Sequence, residues 1–115
     1  MEDPTVKFVL LIPLKYNDGR AVPSGILRRM RNEIYALFGG LTQAGTVRGA
    51  YRMRDGTKKE DESLEIWIGI RETEIPDLKD LVARFGAELG QESMYLERTG
   101  GTIDFIPPIH EGESP

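Results

Sequence analysis

The feature that most constrains this chain is the way its hydrophobic period changes along its length. Val6, Phe8, Leu10, Ile12 and Leu14 fall on every second position, the spacing of one strand face, and Val9 and Leu11 make the middle of the other face apolar too. Leu27, Met30, Ile34, Leu37 and Phe38 then recur at helical spacing. Period two returns in Thr46 to Arg54 and again in Leu64 to Arg71, where Leu64, Ile66, Ile68 and Ile70 face one way and Glu65, Trp67, Gly69 and Arg71 the other. A second helical stripe follows: Leu78, Leu81, Val82, Phe85 and Leu89. Ser93 to Arg98 reads as a short strand, Thr99-Gly100-Gly101 as a turn, and Thr102 to Ile106 as a further C-terminal strand.

The order β-α-β-β-α-β predicts an α+β domain of the ferredoxin-like kind, an antiparallel sheet with two helices on one face. Punctuation supports the helix limits near 24 to 38 and 76 to 89. Ser24 is the expected N-cap of the first helix and Gly39-Gly40 its end, while Pro76 suits a first helical turn and Gly90 closes the second helix. Asn17-Asp18-Gly19 reads as a turn, and Lys58 to Glu62 as a solvated hairpin loop. One domain is expected over residues 1–106, with 107–115 as a disordered tail.

The 115 residues contain no cysteine and one histidine, so disulfides, thiolate nucleophiles and cysteine-ligated metal sites are excluded and no metal or cofactor is expected. Residues 1–4 are acidic where a signal peptide would be basic, and residues 6–14 are too short to span a bilayer, so the expected setting is cytoplasmic, without membrane contact. His110 falls in the expected tail, where nothing would orient it. The net charge of -4 is unevenly spread. Residues 20–59 hold nine basic against two acidic residues, and 60–115 hold four basic against fourteen acidic. Such asymmetry suits an anionic ligand, or a surface that meets its own opposite in an oligomer.

Helices can cover one face of the sheet, so the other is where a site is sought. Alternation assigns Val9, Leu11, Arg48, Ala50, Arg52, Glu65, Trp67, Arg71 and Tyr95 to that open face. Val9, Leu11, Trp67 and Tyr95 then form an apolar patch that predicts a homodimer interface. Arg48 and Arg52, with Trp67 as a stacking plate, form a candidate site for an anionic small molecule. On the first helix Arg28, Arg31, Asn32 and Tyr35 share a face, but with an isoelectric point near 5.0 they read as a solvated surface rather than a general nucleic-acid binder.

Tyr16-Asn17-Asp18-Gly19, Phe38-Gly39-Gly40-Leu41-Thr42 and Leu89-Gly90-Gln91-Glu92-Ser93 together resemble a widespread group of small bacterial proteins that carries no assigned activity. The resemblance spans roughly residues 6–98 and implies a small α+β domain of bacterial or phage type. In outline the element order is also similar to that of dimeric α+β barrel proteins.

The resulting expectation is a non-enzymatic homo-oligomeric binding module, with an anionic small molecule as ligand. One alternative is a small enzyme acting on a nucleotide or other phosphorylated substrate, with Arg48 and Arg52 holding phosphate and Asp18 or Glu92 as base. The other is a protein that captures a protein partner by strand addition along Thr46 to Arg54.

Overall fold

Strand β1, Thr5–Pro13, buries every second residue, Val6, Phe8, Leu10 and Ile12, and is flanked by a neighbour on each side, as its two apolar faces require. The computed structural model describes residues 5–103. After β1 come helix α1 (Ser24–Phe38), β2 (Thr42–Arg52), β3 (Lys58–Arg71), a 3₁₀ turn (Glu72–Glu74), helix α2 (Ile75–Glu88) and β4 (Tyr95–Ile103). The sheet is antiparallel in the order β2-β3-β1-β4, the α+β arrangement expected from the sequence.

The core lies between one sheet face and the two helices. Val6, Phe8, Leu10 and Ile12 of β1 and Leu64, Ile66, Ile68 and Ile70 of β3 meet Met30 and Ile34 of α1 and Leu78, Leu81, Val82 and Phe85 of α2. Leu27 and Phe38 pack at its margin. Leu37, expected in the stripe, is instead an exposed residue beyond the helix's buried edge.

The ends of the helices follow local chemistry. Pro23, not Ser24, occupies the N-cap of α1, and no side chain caps the helix. Gly39 closes α1 with φ of 80°, a left-handed turn that places its N–H 2.8 Å from the Tyr35 carbonyl. Pro76 sits in the first turn of α2, where its missing N–H costs nothing.

Three expectations about the strands are corrected. Thr99-Gly100-Gly101 is no turn: it is an irregularity within β4, whose pairing with β1 shifts between Val6 and Phe8, so Thr102 and Ile103 continue one strand rather than start another. Lys58 to Glu62 is not a loop but the first part of β3, paired with Arg48 to Arg52. The actual turn is tighter: Asp55 Oδ1 accepts from the N–H and hydroxyl of Thr57, and Gly56 takes φ of 86°. The third correction concerns β2. Thr42 stands opposite Trp67 and Gln43 opposite Ile66, but Gly45 then stands opposite Glu65, leaving Ala44 as an extra residue. That bulge, with Gly45 at φ of 128°, reverses the alternation beyond it. The expected tail, 107–115, lies outside the described residues.

Because β1 ends at Pro13, opposite Ser63, the remainder of the β2–β3 hairpin continues as a two-stranded ribbon. Burial marks the junction: Leu64 is 5% exposed, whereas the ribbon contains no buried residue.

Candidate functional site

Two clefts flank the root of that ribbon and meet where β3 faces the loop after β1. The loop is built by Tyr16-Asn17-Asp18-Gly19: the Tyr16 N–H donates to the Arg20 carbonyl and Gly19 turns with φ of 88°. Asn17 anchors it. Its Nδ2 donates to the Gly90 carbonyl at 2.8 Å, and Gln91 Nε2 donates to Asn17 Oδ1 at 3.3 Å. Two turn segments far apart in the chain are thereby joined, which holds the loop against the C-terminus of α2.

The first cleft, of about 640 Å³, opens between this loop and the ribbon. Its charged lining is balanced, with Lys15, Arg48 and Lys59 facing Glu60, Asp61 and Glu62. Arg48 Nη2 lies 3.2 Å from Glu62 Oε1. The second cleft, of about 510 Å³, lies on the open side of the sheet. Tyr51, Met53, Met94 and Tyr95 give it apolar and aromatic walls, and Asp61 and Glu92 outnumber Lys59. Pro13, Asn17, Lys59, Asp61 and Gln91 border both. Both volumes lie in the range of roughly 300 to 1,000 Å³ typical of small-molecule sites.

The titrating groups nearby are set by their neighbours. The Tyr95 hydroxyl donates to Glu97 Oε1 at 2.8 Å, and this bond, with partial desolvation and the charge of Glu97, raises the phenol above its ordinary range, so it stays protonated. Asp18 accepts the Arg20 N–H at 3.0 Å and Arg20 Nε at 2.6 Å, which holds its carboxyl below the usual range. Asp18 is thus committed to its turn and poorly suited to act as a base. Among the described residues no cluster of three or more acidic, histidine or cysteine side chains could hold a metal ion.

The residues singled out from sequence divide between the two sides of the sheet. Val9 pairs with Trp67 and with Glu97, and Leu11 with Glu65 and Tyr95, so Val9, Leu11, Trp67 and Tyr95 do share the open face. Trp67 is 38% exposed; Lys7 Nζ lies 3.8 Å over its ring and its indole N–H donates to Glu65 at 2.9 Å. Arg48 and Arg52, by contrast, pair with Glu62 and Lys58 on the helix side, so they cannot clamp a ligand stacked on Trp67. The alternation of Thr46 to Arg54 is correct, but its sides are exchanged relative to expectation, and Ala50 faces the helix side with the two arginines. Arg48 still lines the first cleft, while Arg52 stands further out. Tyr51, Asn17, Asp61, Gln91 and Met94 were not among the sequence candidates for a ligand site. The signal for Asn17 and Gln91 was their place in two turn segments, but nothing local shows that the segments meet.

No family model matches this chain, and no curated protein matches it. Among solved structures it is similar to a phage SAM lyase in complex with S-methyl-5′-thioadenosine. The TM-score is 0.62 at 16% identity, covering 99% of this chain and 96% of that one. A phage SAM lyase in the apo state aligns with a TM-score of 0.49 at 18% identity, covering 99% and 98%. The first likeness establishes a shared fold. It also overturns the expectation of a non-enzymatic binding module: a solved structure that shares this fold is described as a lyase, and the enzyme alternative fits it better.

Proposed function

We propose that this chain is a small enzyme acting on an adenosine-bearing sulfonium compound of the S-adenosylmethionine type, bound at the root of the ribbon. The observation that carries this reading is the second cleft, where Tyr51 and Tyr95 stand with Asp61 and Glu92. Aromatic faces suit a nucleobase and a sulfonium cation, and an excess of carboxylates suits a positively charged ligand better than a phosphate. The balanced charges of the first cleft, with Arg48 already paired to Glu62, likewise offer little net attraction to a phosphorylated substrate.

The chemistry asks little of the protein. When the substrate's own carboxylate oxygen attacks the carbon bonded to sulfur, the C–S bond breaks, the sulfur takes the bonding pair and leaves as neutral S-methyl-5′-thioadenosine, and the amino-acid part closes to a lactone, so no general acid is required. Because positive charge disappears from sulfur along the reaction, cleft carboxylates stabilise the bound substrate more than the transition state. Asp61→Asn therefore raises KM without lowering kcat.

Incubation of the purified protein with S-adenosylmethionine, followed by chromatography for S-methyl-5′-thioadenosine, tests the reading. Release of that product supports it. No product, together with no heat of binding in calorimetry, rejects it.

The open face carries a second part of the proposal, self-association. Its apolar strip of Val9, Leu11, Trp67 and Tyr95 is rimmed by both signs of charge, Lys7 and Arg71 against Glu65 and Glu97, the pattern of a surface that meets its own image across a twofold axis.

A further inference from the structure

Gly49 and Gly86 differ from the turn glycines in needing no left-handed backbone, so an alanine could adopt the conformation of either. What each lacks is space. A Cβ at Gly49 would lie 2.9 Å from the Tyr51 hydroxyl oxygen, 3.1 Å from its Cε2 and 3.2 Å from its Cζ. A Cβ at Gly86 would lie 2.9 Å from Met94 Cγ. Such separations fall well inside the ordinary contact distance between carbon atoms, about 3.5 to 4.0 Å.

The two neighbours have something in common: Tyr51 and Met94 both line the second cleft. Gly49 and Tyr51 pair with Asp61 and Lys59, so both are on the open face of β2. The tyrosine ring lies back along its own strand, over Gly49, toward the body of the protein. Gly86 is buried on α2, with Met94 seated against it.

We infer that Gly49 and Gly86 are positioning residues that shape the second cleft by seating Tyr51 and Met94 as its walls, an inference that rests on reading this cleft as the substrate site. A ring laid flat along a strand leaves its other face free to stack on a planar base. A methionine thioether is a soft, adaptable surface for an apolar or sulfur-bearing group. Neither glycine touches the ligand; each acts through the side chain above it.

Tyr51 is 50% exposed, so an added methyl at Gly49 swings the ring into solvent instead of disrupting the core. At Gly86 the alanine favours the helix while displacing Met94, which packs on the core, so the two effects offset and the melting midpoint changes little as the cleft wall moves. A merely structural glycine would show the opposite pattern.

The test uses protein labelled with ¹³C in the tyrosine rings and methionine methyls. In the wild type, nuclear Overhauser contacts connect the Tyr51 ring to the Gly49 α-protons and the Met94 side chain to the Gly86 α-protons. Gly49→Ala shifts the Tyr51 resonances and Gly86→Ala those of Met94, and Gly86→Ala changes the melting midpoint little. In calorimetry with S-methyl-5′-thioadenosine as probe, Gly49→Ala weakens binding by about fivefold, the loss of one stacked ring, and adds nothing in a Tyr51→Ala background. Missing contacts in a wild type that binds the probe overturn the inference and leave the functional reading standing. So do alanine variants whose resonances shift while binding is unchanged. A wild type that shows both contacts and binds neither the probe nor S-adenosylmethionine overturns the functional reading, and with it any control of a ligand by these glycines.

Discussion

Strand β3 belongs to two different environments. From Leu64 to Ile70 it runs beneath the helices beside β1, with β2 on its other side as far as Trp67, and its even-numbered residues are buried. From Lys58 to Glu62 it pairs with β2 in the ribbon, and its charged side chains pair with each other, Lys58 with Glu60 and Lys59 with Asp61. The first half is held by removal of apolar surface from water. The second is held by its backbone ladder, because ion pairs this exposed contribute little. Stability is thus concentrated in the body, and the proposed site lies at the seam where the two environments meet.

The sharpest way to break this comparison is to cut into each half. Phe85, 1% exposed, loses its packing in Phe85→Ala, which costs about 3 to 5 kcal/mol in denaturant unfolding. Arg52→Ala in the ribbon changes stability by less than about 0.5 kcal/mol. Comparable losses at the two sites would mean that the ribbon is not energetically separate.

Trp67→Glu acts on the open face without entering the core. It leaves the fold intact and abolishes the proposed self-association, giving a monomer in sedimentation velocity. A wild type that sediments as a monomer at tens of micromolar, an order of magnitude at which stable interfaces persist, rejects the proposed association.

At the seam, Asn17→Ala removes the bonds to Gly90 and Gln91. The expected cost is about 1 kcal/mol, with faster amide exchange in residues 15–20 and at Gln91. Exchange that stays unchanged there would show that the loop is held by something other than Asn17.

The smallest effect is electrostatic. Glu72 accepts two bonds from the Arg98 guanidinium, at 2.8 and 2.7 Å, and these hold its carboxyl below the usual range. A carboxyl lowered in the folded state contributes stability that is complete above its unfolded value and is lost as pH falls through the folded one. Glu72→Gln therefore melts slightly below the wild type at pH 7, and the two melting temperatures converge under acid. Parallel curves down to pH 3 would contradict the linkage.

What could be read from the sequence follows the same division. The helices at 24–38 and 75–88 and the buried faces of β1 and β3 were legible because burial imposes a period on residue type. Lys58 to Glu62 carries no such period, since both faces of the ribbon meet water, and it reads as a loop. The bulge at Ala44 is harder to read: one extra residue moves Arg48 and Arg52 to the other side of the sheet from Trp67, and its one sign, Gly45, falls just before the stretch whose alternation marks a strand. The clefts depend on loops that meet across the fold, the information that local pattern carries least.

The end of β1 has a mechanical consequence. The last bond to β3 runs from the Leu14 N–H to the Glu62 carbonyl at 3.0 Å, so the ribbon beyond is anchored at one end, like a cantilever. The clefts meet at that root and share Pro13, Lys59 and Asp61 as a border, so any displacement of the root is felt by both openings at once.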